Sequence, residues 1–305
     1  MSVAEAERAL RGAQVGTVRR AEPMARHTTF RIGGPADLFV TCDTLAELSD
    51  TLGILQAHEI AWTLAGRGSN LLVADSGYRG AVLTLGQEFK AHSVEEARIT
   101  AGAACVLAYV VQDAFSKGLG GLEFAVGIPG TLGGALAMNA GSREVWMGSV
   151  TESVTLFVPD HGLTRLRSDE VAWSYRKSDL SARGIIVEAV IGLEVADRDR
   201  IRSQMEASLR RRKATQPIGA SCAGSVFANP PGDSAGRLIE GAGLKGTRLG
   251  GARISDVHAN FIVNDGGATA ADVVGLMRKI QVTVRDTYGI GLTPEIRFLG
   301  SFDEP

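Results

Sequence analysis

Aromatic residues make up only 6% of this 305-residue chain, and cysteine is scarcer still, with three. With so few rings, aliphatic side chains must pack the interior, and apolar residues at 45% are plentiful enough for that. The length suggests two or three compact units. Cys42, Cys105 and Cys222 are odd in number, far apart and without a C-x-x-C pair, which argues against a disulfide framework and for a reducing compartment. No stretch approaches the roughly 18–20 consecutive apolar residues of a membrane span. The opening MSVAEAERALRG mixes acids and bases at helical spacing and has no apolar signal core. Neither sign of charge dominates: a formal net charge of −2 gives no general pull toward nucleic acid or an anionic membrane. The five histidines (His27, His58, His92, His161, His258) are dispersed, with no H-E-x-x-H pair and no cysteine at ligand spacing, so no metal is expected. No lysine stands at a Walker A position either. These exclusions lead to a soluble cytoplasmic protein, with no nucleic-acid or membrane partner expected.

Glycine is abundant and clustered: 38 residues gather around 66–68, 118–141, 219–224 and 241–251. Such clusters mark backbone that turns sharply or approaches something closely. Around them the pattern alternates strand and helix. Residues 37–42 read as a strand, and Leu45, Leu48, Leu52 and Leu55 predict a helix over 45–58. Further strands are expected over 60–66 and 81–86, a strand and turn over 97–105, and a helix from 106 stopped by Gly118 and Gly120. Strands follow at 150–158 and 185–195, then a strongly charged helix over 197–213, then a further α/β segment. Composition changes near 87 and near 200 give the division 1–86, 87–199 and 200–305.

Two motif matches carry less than they first suggest. GAGLKG (241–246) fits G-x-G-x-x-G, yet an amphipathic helix precedes it where a dinucleotide fold needs a strand; a helix C-cap and turn is the reading. GDSAG (232–236) fits G-x-S-x-G, yet Pro230-Pro231-Gly232 puts a turn where a nucleophile elbow needs a strand. Asp233 or Ser234 then caps the helix SAGRLIEGAG. A Ser234 hydrolase is the weakest of the functional alternatives.

The glycine loops carry more. AGRGSNLLV (65–73) follows a strand and can turn several backbone N–H groups toward one phosphate. GIPGTLGGALAMNAG (127–141) is a second such loop, and its TLGGALAMNA can open a helix whose first N–H groups face an anion. Two lysine-free phosphate-type loops in successive α/β units suggest a dinucleotide pyrophosphate held by backbone, outside the Rossmann pattern.

Seven motifs then stand in order: EPMARHTTFRIGGPADLFV, AGRGSNLLVAD, GLEFAVGIPGTLGGALAMNAG, SYRKSDL, AGSVFANP, HANFIVN and LTPEIRFLG. Over about residues 20–300 this set resembles the UDP-N-acetylenolpyruvoylglucosamine reductases, flavoenzymes of peptidoglycan precursor synthesis. The resemblance implies an α+β fold: a two-lobed FAD-binding domain of the vanillyl-alcohol-oxidase type (1–86 and 87–199) plus a C-terminal α/β substrate-binding domain (200–305). It implies FAD and NADPH as cofactors and a nucleotide-sugar enolpyruvyl ether as substrate. Cofactor contacts are expected from Gly66, Arg67, Gly68, Ser69, Asn70 and Leu71 in the first loop. In the second they are expected from Gly127, Ile128, Pro129, Gly130, Gly133, Gly134, Asn139 and Gly141. The family pattern puts the catalytic arginine at Arg176, the proton-donating serine at Ser225 and the catalytic glutamate at Glu295.

The implied chemistry gives each a task. Hydride addition to an enolpyruvyl carbon leaves carbanion character beside the carboxylate, and Arg176 offers that carboxylate fixed guanidinium donors. Glu295 shares in this only when it carries a proton or acts through a partner. Ser225 protonates the adjacent carbon, from a strand expected over AGSVFANP. Substrate contacts are expected from Tyr175, Lys213, Asn229 and His258, Lys213 toward the diphosphate. Two departures from the pattern stand out: Ala228 where the family commonly has lysine, and GSREVW (141–146) where it has a Gly-Ala-Tyr-Gly type turn. The short link from 195 to the charged helix resembles the subtype that lacks a tyrosine-bearing loop over the substrate. The alternative is another FAD-dependent oxidase or dehydrogenase of the same superfamily, which has no reason to keep Arg176, Ser225 and Glu295 together.

Overall fold

A computed structural model describes residues 2–142 and 144–302; Arg143 of the departing GSREVW turn lies outside them. The chain forms two compact units that interleave along the sequence. One comprises Met1–Arg19, Phe39–Gly66 and Val82–Arg211; the other Arg20–Leu38, Arg67–Ala81 and Arg212–Pro305.

In the first unit the acid–base pattern at the N-terminus is a helix, Val3–Gly12. The Ser2 hydroxyl accepts the Glu5 N–H and the Glu5 carboxylate accepts the Ser2 N–H, so two otherwise orphaned donors are satisfied. Helix Leu45–Ala57 starts at the Thr44 cap and buries Leu48, Leu52 and Leu55 of the expected stripe, with Leu45 partly buried at its first turn. Strands Thr17–Pro23, Pro35–Cys42, Tyr78–Leu85 and Trp62–Leu64 follow one another across a four-stranded sheet, of which 17–19, 39–42, 82–85 and 62–64 belong to this unit. A second, antiparallel sheet orders Gly162–Arg167, Thr151–Val158, Ile185–Gly192, Arg98–Gly102 and His92–Glu95 from edge to edge. Ile185–Gly192 sits centrally and is buried at nearly every position, whereas edge strand Gly162–Arg167 buries only Leu166. Helix Leu107–Ser116 stops at Lys117, and Gly118 takes the left-handed turn (φ +69°) that glycine supplies at no steric cost. The core joins these sheet strands with Leu107, Val110, Leu132, Leu136 and Met147.

The second unit is built on helix Ala270–Tyr288. Val273, Leu276, Met277, Ile280 and Val284 recur at three- and four-residue steps and are buried. Thr269 and Asp272 form its capping box, and Gly289 closes it at φ +69°. Asp75 accepts the Ala270 and Ala271 N–H groups (2.8 and 3.0 Å), which holds residues 67–81 to the start of that helix. A small antiparallel sheet, Arg248–Leu249, Ala252–Ile254 and Ile262–Asn264, lies in the same unit. Arg297–Leu299 pairs in parallel with Leu71–Val73, so LTPEIRFLG and AGRGSNLLV are neighbouring strands. The charged helix is Arg198–Thr215, with Ile201 alone buried, and the unit boundary falls within it. Among the described residues no helix is long and apolar enough to cross a membrane.

Candidate active site

The two glycine loops meet at Gly66. A Cβ there would lie 2.9 Å from the Thr131 hydroxyl, so only a bare backbone passes. Gly66, Arg67, Gly127 and Pro129 are exposed, with Gly127 at φ +75° and Gly130 at φ +114°. Backbone left open in this way suits a pyrophosphate, and FAD fits the cradle. Further along the first loop, Gly68 (φ +62°) passes so close to the His27 carbonyl that a Cβ would stand 2.2 Å from it.

The second loop corrects one expectation. Helix Leu132–Ala137 does begin in TLGGALAMNA, but its first N–H groups are spent on the protein. Leu132 donates to the Cys105 carbonyl and Gly133 to the Ala103 carbonyl (both 2.9 Å), and Gly134 donates to the Thr131 hydroxyl (3.2 Å). In this segment it is the backbone ahead of the helix, at Gly127 and Pro129, that is left exposed. Gly133 is explained by packing, since a Cβ would press on Ala103 at 2.9 Å; Gly141 likewise crosses Trp146 with no room for a side chain.

Arg176 stands on a two-residue turn. Trp173–Ser174 pairs with Lys177–Ser178, and Tyr175-Arg176 closes the ribbon. Arg176 occupies the second turn position at φ +58°, where glycine or asparagine is usual, at a cost of roughly 1–2 kcal/mol for an L side chain. Its guanidinium carbon lies 6.0 Å from the Tyr175 ring centre. The base of the ribbon is tied down: Asn139 Nδ2 donates to the Ser174 carbonyl (3.0 Å), and the Ser178 hydroxyl donates to the Leu136 and Ala137 carbonyls (3.0 and 3.1 Å).

Ser225 and Glu295 belong to the second unit, which brings their segments together. Glu295 N–H donates to the Val226 carbonyl (2.8 Å), Ala228 N–H to the Thr293 carbonyl (3.0 Å), and Phe227 bridges Pro294. The expected strand over AGSVFANP is not formed. That single bridge is the only β pairing of residues 223–229, and Gly224 turns the chain at φ +76°. In place of a ladder, Asn260 reads the segment with one residue. Its side chain accepts the Phe227 N–H (3.0 Å) and donates to the Phe227 carbonyl (2.8 Å), while its own carbonyl accepts the Val226 N–H (2.8 Å). Asn70 adds the first loop: Nδ2 donates to the Glu295 carbonyl (3.2 Å), and its carbonyl accepts the Arg297 N–H (3.0 Å). Thr29 joins the same loop to the approach to Ser225, its N–H donating to the Gly68 carbonyl (3.3 Å) and its hydroxyl to the Cys222 carbonyl (2.6 Å).

Sequence reasoning missed Thr29, Ser178 and Asn260 as functional supports. Each lies inside a quoted motif, but each acts on backbone far away in sequence, so no local pattern marks it. Among the expected substrate contacts, Tyr175 is half-exposed and Lys213 is exposed in the last turn of its helix. Asn229 Oδ1 accepts the Ala235 N–H (3.0 Å) at the start of helix Ala235–Gly241. His258 is half-buried: Nδ1 accepts the Asn260 N–H (3.1 Å), and the ring packs edge-on to Phe261, with Cε1 2.7 Å from where a Gly236 Cβ would stand. Burial, and next the nearby Lys245 charge, push its pKa down. Ser234 is the cap of helix Ala235–Gly241, accepting the Arg237 N–H (3.2 Å), and no strand leads into it, which removes the nucleophile elbow. Gly243 (φ +73°) follows the end of that helix, as the turn reading of GAGLKG expects.

Residues 216–299 match the family model described as UDP-N-acetylenolpyruvoylglucosamine reductase, C-terminal domain, and residues 36–160 match that of an FAD binding domain. The chain is 43% identical over 293 residues to the UDP-N-acetylenolpyruvoylglucosamine reductase of Bacillus licheniformis, covering 95% of this chain and 97% of that protein. It is 46% identical over 286 residues to UDP-N-acetylenolpyruvoylglucosamine reductase 2 of Symbiobacterium thermophilum, covering 93% of each. The crystal structure of the Thermus caldophilus UDP-N-acetylenolpyruvylglucosamine reductase superposes with a TM-score of 0.82 at 38% identity, covering 93% of this chain and all of that one. With relatives this similar along nearly its whole length, and with an FAD-binding segment in its first half, the chain belongs to the UDP-N-acetylenolpyruvoylglucosamine reductase family of FAD-dependent oxidoreductases.

Proposed function

We propose that this protein reduces UDP-N-acetylglucosamine enolpyruvate to UDP-N-acetylmuramate for peptidoglycan precursor synthesis, with NADPH as the reductant. The observation that carries the reading is the pairing of the Ser225 and Glu295 segments by the Glu295 N–H to Val226 carbonyl bond. It sets a hydroxyl and a carboxyl on two adjoining stretches of backbone that share one buried support.

When bound, FAD supplies hydride transfer from NADPH to the enolpyruvyl double bond. Gly66, Arg67, Gly68, Ser69, Asn70 and Leu71 of the first loop and Gly127, Ile128, Pro129 and Gly130 of the second would hold it; Gly133, Gly134, Asn139 and Gly141, whose donors or space are committed within the protein, shape the second loop without touching the cofactor. Arg176 pairs with the substrate carboxylate and stabilises the negative charge that develops there as the double bond takes up the hydride. Ser225 gives its hydroxyl proton to the neighbouring carbon and takes one back from solvent, and Glu295, carrying a proton or acting through a partner, shares in stabilising the charged carboxylate side. The sum is balanced: the alkene gains a hydride and a proton, and NADPH leaves as NADP⁺. Lys213 addresses the diphosphate, and Tyr175, Asn229 and His258 the remainder of the nucleotide sugar.

In this reading residues 1–86 and 87–199 serve the cofactor and 200–305 the substrate, in a cytoplasmic monomer. Two residues separate Glu194–Val195 from helix Arg198–Thr215, a link that supports the shorter subtype without a tyrosine loop. The test is NADPH consumption by the FAD-loaded protein with UDP-N-acetylglucosamine enolpyruvate. Turnover dependent on that substrate is expected; its absence, with flavin still reduced by NADPH, overturns the substrate assignment.

A further inference from the structure

A two-stranded ribbon with only two residue pairs does not hold its own shape in water. Yet Arg176 sits at its tip, in a backbone conformation that a side chain of its kind rarely adopts. What fixes the ribbon lies beneath it. Asn139 is 5% exposed and Ser178 is 6% exposed, and both spend their polar groups there. Asn139 Nδ2 donates to the carbonyl of Ser174, the residue from which the turn departs. Asn139 Oδ1 accepts the Gly148 N–H (2.9 Å), so a donor on one side and an acceptor on the other leave the amide a single orientation. Gly148 in turn lies under the Trp173 ring, where a Cβ would come within 2.5 Å, and the indole N–H donates to the Ser168 carbonyl (3.0 Å). Ser178 ties the returning strand to the carbonyls of Leu136 and Ala137, at the end of helix Leu132–Ala137.

We infer that Asn139, seconded by Ser178, is a positioning residue for Arg176: it sets where the guanidinium points and does so without touching the substrate. The inference rests on the role given to Arg176 above. The side-chain chemistry fits asparagine and little else. The residue must be buried, must present a donor and an acceptor in one plane, and must itself sit at φ +41°, a region asparagine tolerates better than most. Aspartate would keep the Gly148 bond but turn an acceptor oxygen to the Ser174 carbonyl, and leucine, close in shape, would offer neither bond. Asn139 lies in the loop expected to contact FAD, so the loop that cradles the cofactor also aims the arginine.

The experiment is a double-mutant cycle in the FAD-loaded protein with Asn139→Leu, Arg176→Ala and the pair. Three quantities are read: flavin content, the rate of flavin reoxidation by substrate after NADPH reduction, and substrate affinity from titration of the oxidised flavin spectrum. Asn139→Leu is expected to retain FAD and its reduction by NADPH. It should slow reoxidation by about 10–100-fold, the scale of a misplaced catalytic group. The double variant should then be no slower, and bind substrate no more weakly, than Arg176→Ala alone. Multiplicative losses in the double variant, loss of FAD from Asn139→Leu, or a normal reoxidation rate in it would each overturn the inference. If Arg176→Ala itself reoxidises at the normal rate, the role of Arg176 fails first, and that result is distinct because it needs no Asn139 variant. Should Asn139→Leu not fold, Ser178→Ala crossed with Arg176→Ala applies the same criterion to the second tie.

Discussion

Arg176 and Ser225 are both assigned to the reacting end of the substrate, and their supports differ in kind. Arg176 projects from a ribbon whose tip is half-exposed at Tyr175, and what fixes it is polar: the Asn139 amide and the Ser178 hydroxyl. Ser225 precedes Val226 and Phe227, neither exposed at all, and its segment is pinned in the core of the second unit beside Leu238, Ile280 and Ile296. Asn260 works there too, but on backbone whose side chains are already committed to the interior. A polar seat can lose its geometry while the fold survives, because each net hydrogen bond is worth only about 0.5–1.5 kcal/mol. An apolar seat cannot, since truncating a fully buried Phe costs about 3–5 kcal/mol. Ser225 is thus coupled to folding stability, and Arg176 to local hydrogen bonding.

The largest expected effect removes the donor without touching its seat. Ser225→Ala deletes one hydroxyl from a half-buried position, so stability should change little, while flavin reduction by NADPH proceeds. Reoxidation by substrate should fall by about 10²–10⁴-fold, the usual contribution of a positioned general acid. Stopped-flow traces of the two half-reactions separate these, and normal reoxidation would refute the proton-donor role.

Next comes the seat itself. Phe227→Ala should lower unfolding free energy by about 3–5 kcal/mol, measured by denaturant titration. Tyr175→Ala, beside Arg176, should stay within about 0.5 kcal/mol of the parent. Equal losses at the two positions would erase the contrast between the seats.

A smaller effect has the opposite sign. Arg176→Gly relieves a left-handed conformation costing roughly 1–2 kcal/mol, offset by about 0.5–1 kcal/mol of extra chain entropy in the unfolded state. Stability should therefore hold or rise by up to about 1.5 kcal/mol while reoxidation by substrate is lost. A marked loss of stability would mean that Arg176 supports the fold, and the view of the ribbon as a polar, detachable mount would fail.

How far the sequence leads depends on where the partner of each residue lies. Helix Leu45–Ala57 and the Ser234 cap are legible because leucines at helical spacing, and a serine after a turn, have their partners within a few residues. The edge strand Gly162–Arg167 is not, since with Leu166 alone buried it carries no alternation. The ordered motifs nominate Arg176, Ser225 and Glu295, yet they do not say why HTTFRIGG, AGRGSN, AGSVF and TPEIRF travel together. That reason is long-range: Thr29 bridges Gly68 and Cys222, and Asn70 meets the Glu295 carbonyl. The helix start at 132–134 misleads for the same cause, because the carbonyls of Ala103 and Cys105 that consume its donors lie nearly thirty residues upstream.

The smallest expected effect is a dependence on pH that should belong to the Ser225 seat alone. His258 accepts the Asn260 N–H at Nδ1, so the ring is neutral there with its proton on Nε2, and protonation would set two N–H groups against each other. Burial lowers its pKa below the ordinary 6.5, Lys245 lowers it further, and Glu240 opposes them weakly. The sign follows: the unfolded chain takes up a proton near pH 6.5 that the folded chain refuses until lower pH. The stability owed to this group is complete above that value and declines as pH falls below it. Denaturant midpoints taken from about pH 7.5 down to about pH 5.5 should fall more steeply for the parent than for His258→Gln, which titrates nothing in this range. The Asn139→Leu variant should keep the full slope of the parent, because its site shares no titrating group with His258. Parallel slopes for parent and His258→Gln would place the neutral ring outside the support of Ser225, leaving Asn260 to hold that segment by its amide alone.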